Sequence, residues 1–193
     1  MEELHLTRTL MTGPLPDKFP QGSHMRIIYA WNVDPNSGGV WKEGGFTGPL
    51  PRSLLNAAYL SDLVLPQHGL EGEIPPLPDS VVWLDLKGNK LSKLPVALPL
   101  SLTVMDLSDN MLTGPLPDIT DNTLIWVNLT NNEITGPLPP DFGGSMNTLA
   151  VLSLAKNRLS GDLHATNWAM AELEMLDLSK NEITGEGGPE HSR

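Results

Sequence analysis

The sequence predicts a repeat solenoid, a stack of similar coils sharing one parallel β-sheet. Three observations lead there. The pentapeptide TGPLP is spelled identically at 12–16, 47–51, 113–117 and 135–139. Apolar residues recur at fixed offsets in a longer template, L-x-x-L-x-L-x-x-N-x-L-x-G-x-L-P, which eight stretches fit to differing degrees. The residues that open the L-x-L core are Leu4, Ile27, Leu63, Leu84, Met105, Val127, Leu152 and Leu176, and the last six stand 21, 21, 22, 25 and 24 residues apart. A catalytic motif is normally used once, whereas self-similarity at a period of about 20–50 residues marks architecture.

Each part of the template has a physical reason. Alternation in L-x-L describes a strand with one face buried and one open, so Leu84 and Leu86 point inward and Asp85 outward. The Asn that follows, at 89, 110, 132, 157 and 181, carries an amide able to donate and accept together. Stacked on its equivalents, it satisfies backbone groups freed where each strand turns away, as buried polar groups require. Gly72, Gly114, Gly136, Gly161 and Gly185 permit backbone angles closed to other residues, and the Leu-Pro after the motif favours an extended return path. A lone coil cannot offset its ordering entropy, so at least about three must stack. The second unit is longer. Leu63 lies 36 residues beyond Ile27, and the excess falls in the Gly-rich VDPNSGGVWKEGG at 33–45, read as an insertion loop.

LVLPQHGLEGEIP at 63–75, MDLSDNMLTGPLP at 105–117, VNLTNNEITGPLP at 127–139 and LSLAKNRLSGDL at 152–163 resemble the leucine-rich repeat in its plant-type L-x-G-x-[IL]-P subclass. The resemblance covers nearly the whole chain and implies an α/β-type solenoid: a right-handed superhelix with a parallel β-sheet on its concave face, about eight repeats and few regular helices. It also implies a single domain over 1–193. Thr9 stands where the first ladder Asn is expected, and NEITGEGGPEHSR stops before its Leu-Pro turn. Both observations lead to the expectation of a fragment without terminal caps.

The same resemblance implies a non-catalytic recognition module, extracellular or at the cell surface, such as the ectodomain of a receptor-like kinase, a receptor-like protein or a related surface antigen. Its partner would be a protein or peptide. The alternatives are an enzyme inhibitor similar to plant polygalacturonase inhibitors, whose acidic face would dock on a basic cleft, and an intracellular scaffold. Cysteine is absent, a departure from the Cys-paired caps common in secreted members of the family.

Composition narrows the classes further. Twelve Lys and Arg oppose 23 Asp and Glu, a formal charge of −11, which disfavours nucleic acid and anionic membranes as partners. No apolar run is long enough to span a bilayer, and the acidic start MEELHLTRTL has no signal-peptide pattern. G-x-S-x-G, P-loop and Rossmann glycine patterns are missing, so neither catalysis nor a cofactor is expected. His68 replaces a ladder Asn and is read as its structural substitute. His5, His24, His164 and His191 show no metal-ligand spacing, so no metal site is expected.

The candidate binding residues stand on the open face of the strands. Just before the marker come Asp62, Trp83, Val104, Trp126, Val151 and Met175; just after it come Val64, Asp85, Asp106, Asn128, Ser153 and Asp177. An aromatic and apolar strip beside an acidic one suits a protein-binding surface, because Trp is enriched in hot spots and exposed apolar patches mark contacts. The site is therefore placed at Trp83, Asp85, Val104, Asp106, Trp126, Asn128, Val151, Met175 and Asp177. The competing reading has the Trp side chains packing across strands with no ligand, and a one-residue slip would bury the strip. Asp85 and Asp106, on adjacent strands about 4.8 Å apart, are expected to repel each other in solvent. The loop bearing Trp31 and Trp41 is a second candidate, while Trp168 is expected in the core. NLT at 128–130 is a glycosylation acceptor pattern at Asn128, and a glycan there would block the centre of the same face.

Overall fold

The computed structural model describes residues 2–6, 11–31, 45–116, 123–139, 148–163 and 172–185. Its strands, in chain order, are Glu3–His5 (β1), Ile27–Tyr29 (β2), Thr47–Pro49 (β3), Asp62–Val64 (β4), Gly69–Glu73 (β5), Trp83–Asp85 (β6), Lys90–Lys93 (β7) and Val104–Asp106 (β8). They continue as Thr113–Gly114 (β9), Trp126–Asn128 (β10), Glu133–Gly136 (β11), Val151–Ser153 (β12), Arg158–Asp162 (β13), Met175–Asp177 (β14) and Glu182–Thr184 (β15). Eight form one parallel sheet in the order β1-β2-β4-β6-β8-β10-β12-β14, and the other seven form a second in the order β15-β13-β11-β9-β7-β5-β3. Helix is nearly absent from the described residues: the chain makes a short 3-10 turn at Arg52–Asn56 and no α-helix.

The first sheet is the one the L-x-L pattern predicts. Leu63, Leu84, Met105, Val127 and Leu152 pair in register along it and are fully buried. The second unit departs by one residue: Ile28, not Ile27, lies level with Leu63 and is 2 % exposed. With Ile-Ile-Tyr the pattern does not choose between neighbours, and the hydrogen-bonded register does.

The second sheet is built from the residues after each ladder Asn. TGPLP at 47–51 and 113–117 opens on β3 and β9, and Thr135 and Gly136 close β11. The repeated pentapeptide thus makes a strand of the second sheet and the Leu-Pro turn that leaves it. Between the sheets the interior is layered. Leu65, Leu86, Leu107, Leu129 and Leu154 face Leu70, Leu91, Leu112, Ile134 and Leu159 across the coil, all at 0 % exposure.

The asparagine ladder has the expected role, bond by bond. Asn110 Oδ1 accepts from Leu91 N–H at 3.0 Å, while its Nδ2 donates to Leu86 O and Leu107 O, each at 3.0 Å. Asn89, Asn132 and Asn157 repeat the pattern, and so does Asn181. Each amide therefore ties its own coil to the preceding one. His68 substitutes in kind: Phe46 N–H donates to Nδ1 at 3.2 Å and Nε2 donates to Ala30 O at 3.0 Å. That requires the neutral ring, and burial indeed pushes the His68 pKa down.

Candidate functional site

The open face of the first sheet carries the candidate residues in the columns the spacing predicts. Trp83, Val104, Trp126, Val151 and Met175 are successive register partners on β6, β8, β10, β12 and β14. Trp83 is 40 % exposed and Met175 48 %; Val104, Trp126 and Val151 are half-buried. One position earlier, Val82 and Ile125 are also exposed and widen the strip. The column beyond it contains Asp85, Asp106, Asn128, Ser153 and Asp177, again in register.

That second column has a structural task the spacing does not reveal. Each acidic or amide side chain folds over the strand end and accepts the N–H two residues on. The bonds are Asp85 Oδ1 from Lys87 N–H (3.1 Å), Asp106 from Ser108 (2.9 Å), Asn128 from Thr130 (3.0 Å) and Asp177 from Ser179 (2.9 Å). Ser108 Oγ donates to Asp106 as well, at 2.6 Å. The corner that follows takes left-handed angles at Gly88, Asp109, Asn131 and Lys180, and these buried or strand-end N–H groups need acceptors.

Asp85 and Asp106 were expected to repel each other in solvent; they are half-buried instead. Burial pushes the Asp85 carboxyl up to about 6, and the neighbouring Asp106 charge adds to the rise against the Lys87 N–H bond. Asp177, at the exposed end, is held below its usual range by the Ser179 hydroxyl and N–H.

Other residues singled out in the sequence divide by place. Trp31 leaves β2 and stacks on Tyr29, centroids 5.9 Å apart, and Tyr29 in turn meets the His5 ring at 5.9 Å. An aromatic group thus lies at the first coils of the same sheet, which the spacing of the later repeats did not reveal. Trp41, Trp168, His164, His191 and most of the 33–45 insertion lie outside the described residues. Among the described residues no group of three His, Asp or Glu side chains could hold a metal ion. Nor is any helix long and apolar enough to cross a membrane.

A cavity of about 610 Å³ opens away from this face, beside the second sheet, between Pro49, Pro51, Ile74, Pro75 and Val96. The Lys93–Glu73 ion pair crosses its rim at 2.6 Å. The candidate strip is by contrast an open surface, as suits a macromolecular contact rather than a small-molecule pocket.

The family model described as Leucine Rich Repeat matches residues 101–122 and 123–145, the coils carrying Met105 and Val127. Receptor-like protein 35 of Arabidopsis thaliana is 29% identical over 146 residues. The chain carries leucine-rich repeats of the plant type. That alignment covers 72% of this leucine-rich repeat chain and 15% of the relative, so the chain spans about a seventh of that protein's length.

Among solved structures, the leucine-rich repeat ectodomain of the Arabidopsis receptor kinase HAESA, in complex with an N-terminally extended IDA peptide hormone ligand, is 28% identical with a TM-score of 0.72. The match covers 96% of this chain and 30% of the ectodomain. A plant ice-binding protein aligns at 26% identity and a TM-score of 0.69, over 93% of this chain and 57% of its own. Similar coils therefore serve unlike functions, and function is argued from the exposed face.

Proposed function

We propose that this chain is one leucine-rich repeat domain, over 1–193, acting as a non-catalytic recognition module. It binds a protein or peptide on the open face of the first sheet. It belongs to an extracellular or cell-surface receptor-like protein. The observation that carries this is the exposed strip Trp83–Val104–Trp126–Val151–Met175, held in register beside Asp85, Asp106, Asn128 and Asp177. A rigid sheet presenting two indoles and several aliphatic groups offers contact area at little entropic cost. The receptor-like relative and the peptide-bound HAESA ectodomain support the class of partner.

Asn128 belongs to the contact surface in this reading. A glycan on its Nδ2 would stand between Asp106 and Ser153 in the middle of the face, so the two uses of this residue exclude each other.

The test uses the double variant Trp83→Ala/Trp126→Ala. Peptides selected on the wild-type chain from a random displayed library should bind the variant about 10–100-fold more weakly, at an unchanged unfolding midpoint. Selected peptides that bind both proteins equally would place the recognition surface elsewhere, and a collapsed variant would make the indoles core residues.

A further inference from the structure

The strip is not a uniform apolar band. Trp83 and Trp126 flank Val104 on the intervening strand, and all three are register partners. Strands in a sheet lie about 4.8 Å apart, so the two Trp backbones stand roughly 9.6 Å from each other. Between them stands Val104, whose side chain is short, so the spacing leaves room for a slot flanked by the two indoles over an isopropyl group. A planar group packed at about 3.5–4.0 Å from each wall fits that width as a single layer.

Charge surrounds the slot on one sign. Asp62 precedes Trp83 in the same column, and Asp85 and Asp106 stand beside Trp83 and Val104 in the next. Asp85 and Asp106 each commit Oδ1 to an N–H two residues on, and neither Oδ2 has a hydrogen-bond partner among the described residues. The cation beside them, Lys87, reaches across to Asp109 at 3.7 Å. Indole faces attract cations. The carboxylates supply counter-charge, and the whole chain carries −11.

We propose that the Trp83–Val104–Trp126 slot receives an arginine side chain of an extended basic peptide, its guanidinium layered between the indoles and paired with Asp85 and Asp106. Arginine fits better than lysine because its head is planar, weakly hydrated and able to stack while donating in the ring plane. The inference rests on the open face being the recognition surface, and it adds which chemistry that face selects.

The test titrates the full chain with acetyl-tetraarginine amide and with acetyl-tetracitrulline amide, which keeps the planar shape and removes the charge. Calorimetry at low salt gives the affinities. The arginine peptide should bind at least about tenfold more tightly than the citrulline one. Asp106→Asn should weaken it roughly fivefold while keeping the N–H bond, since Asn128 makes that bond one strand away. Val104→Trp fills the slot without altering charge, and should weaken it at least as much. Glu71→Gln, on the second sheet, should leave it unchanged.

Equal binding of both peptides, with Trp83→Ala weakening each, would overturn the inference and leave the recognition face standing. Arginine binding untouched by Val104→Trp but reduced equally by Asp106→Asn and Glu71→Gln would overturn it in favour of general attraction to an acidic chain. Binding indifferent to Trp83→Ala, Val104→Trp and Asp106→Asn alike would remove both the slot and the face.

Discussion

Asp85 serves two opposed demands. Its Oδ1 closes the strand end on Lys87 N–H, yet its half-buried charge is unfavourable enough to raise its pKa from 3.8 to about 6. Between those values the folded chain holds a proton that the unfolded chain has already lost. The Asp85 contribution to stability therefore falls as pH rises through that window. Asp85→Asn keeps the acceptor and removes the charge. At pH 7 it should raise unfolding stability by about 1 kcal/mol once solvent screening is allowed for, and the advantage should vanish near pH 4. A gain of equal size at both pH values would show that charge is not its source. The alternation of L-x-L placed Asp85 outward. It did not show the carboxylate folding back, because that goes with the left-handed corner at Gly88, and at Asp109 and Asn131 in the next coils, where the residue types share no pattern.

At the level of elements, the first sheet was legible because burial on one face leaves a period-2 trace in every repeat. Ile27-Ile28 failed for the same reason, since two equal residues carry no phase. The second sheet was not legible. TGPLP looks like turn sequence, with Gly and Pro both disfavoured in strands, and only pairing between neighbouring coils makes it one. Its glycines are not equivalent. Gly72 has φ +82° with open space where a Cβ would stand, whereas at Gly161, φ +97°, a Cβ would come within 2.9 Å of Pro137 Cβ. Gly72→Ala should cost about 1–2 kcal/mol of backbone strain alone. Gly161→Ala should cost about 1–3 kcal/mol more by overpacking. Equal midpoints in urea for the two variants would mean that Pro137 yields without penalty and that close stacking of β11 on β13 is not needed there.

At the scale of the whole molecule, each coil contacts only its neighbours, so its integrity depends on what passes between coils. Apolar layers do so without direction, and the asparagine ladder does so with it: Asn110 belongs to the coil of Met105 yet binds Leu91 N–H and Leu86 O of the coil before. Removing that side chain orphans the Leu91 N–H, at about 1–3 kcal/mol, and takes one of two side-chain donors from Leu86 O and Leu107 O, which keep Asn89 and Asn132. It also weakens the joint between the two halves of the stack. Asn110→Ala should therefore lower the unfolding midpoint by the equivalent of roughly 2–4 kcal/mol and make the urea transition shallower, as the coils on either side begin to unfold apart. Loss of stability with an unchanged slope would confine the ladder to local satisfaction of polar groups, and cooperativity would then rest on the Leu layers. An unchanged midpoint would mean that the Leu91 N–H finds another acceptor. The same coupling bears on recognition. The slot at Trp83, Val104 and Trp126 spans three coils, and its width is set by the stacking that Asn89, Asn110 and Asn132 hold in register.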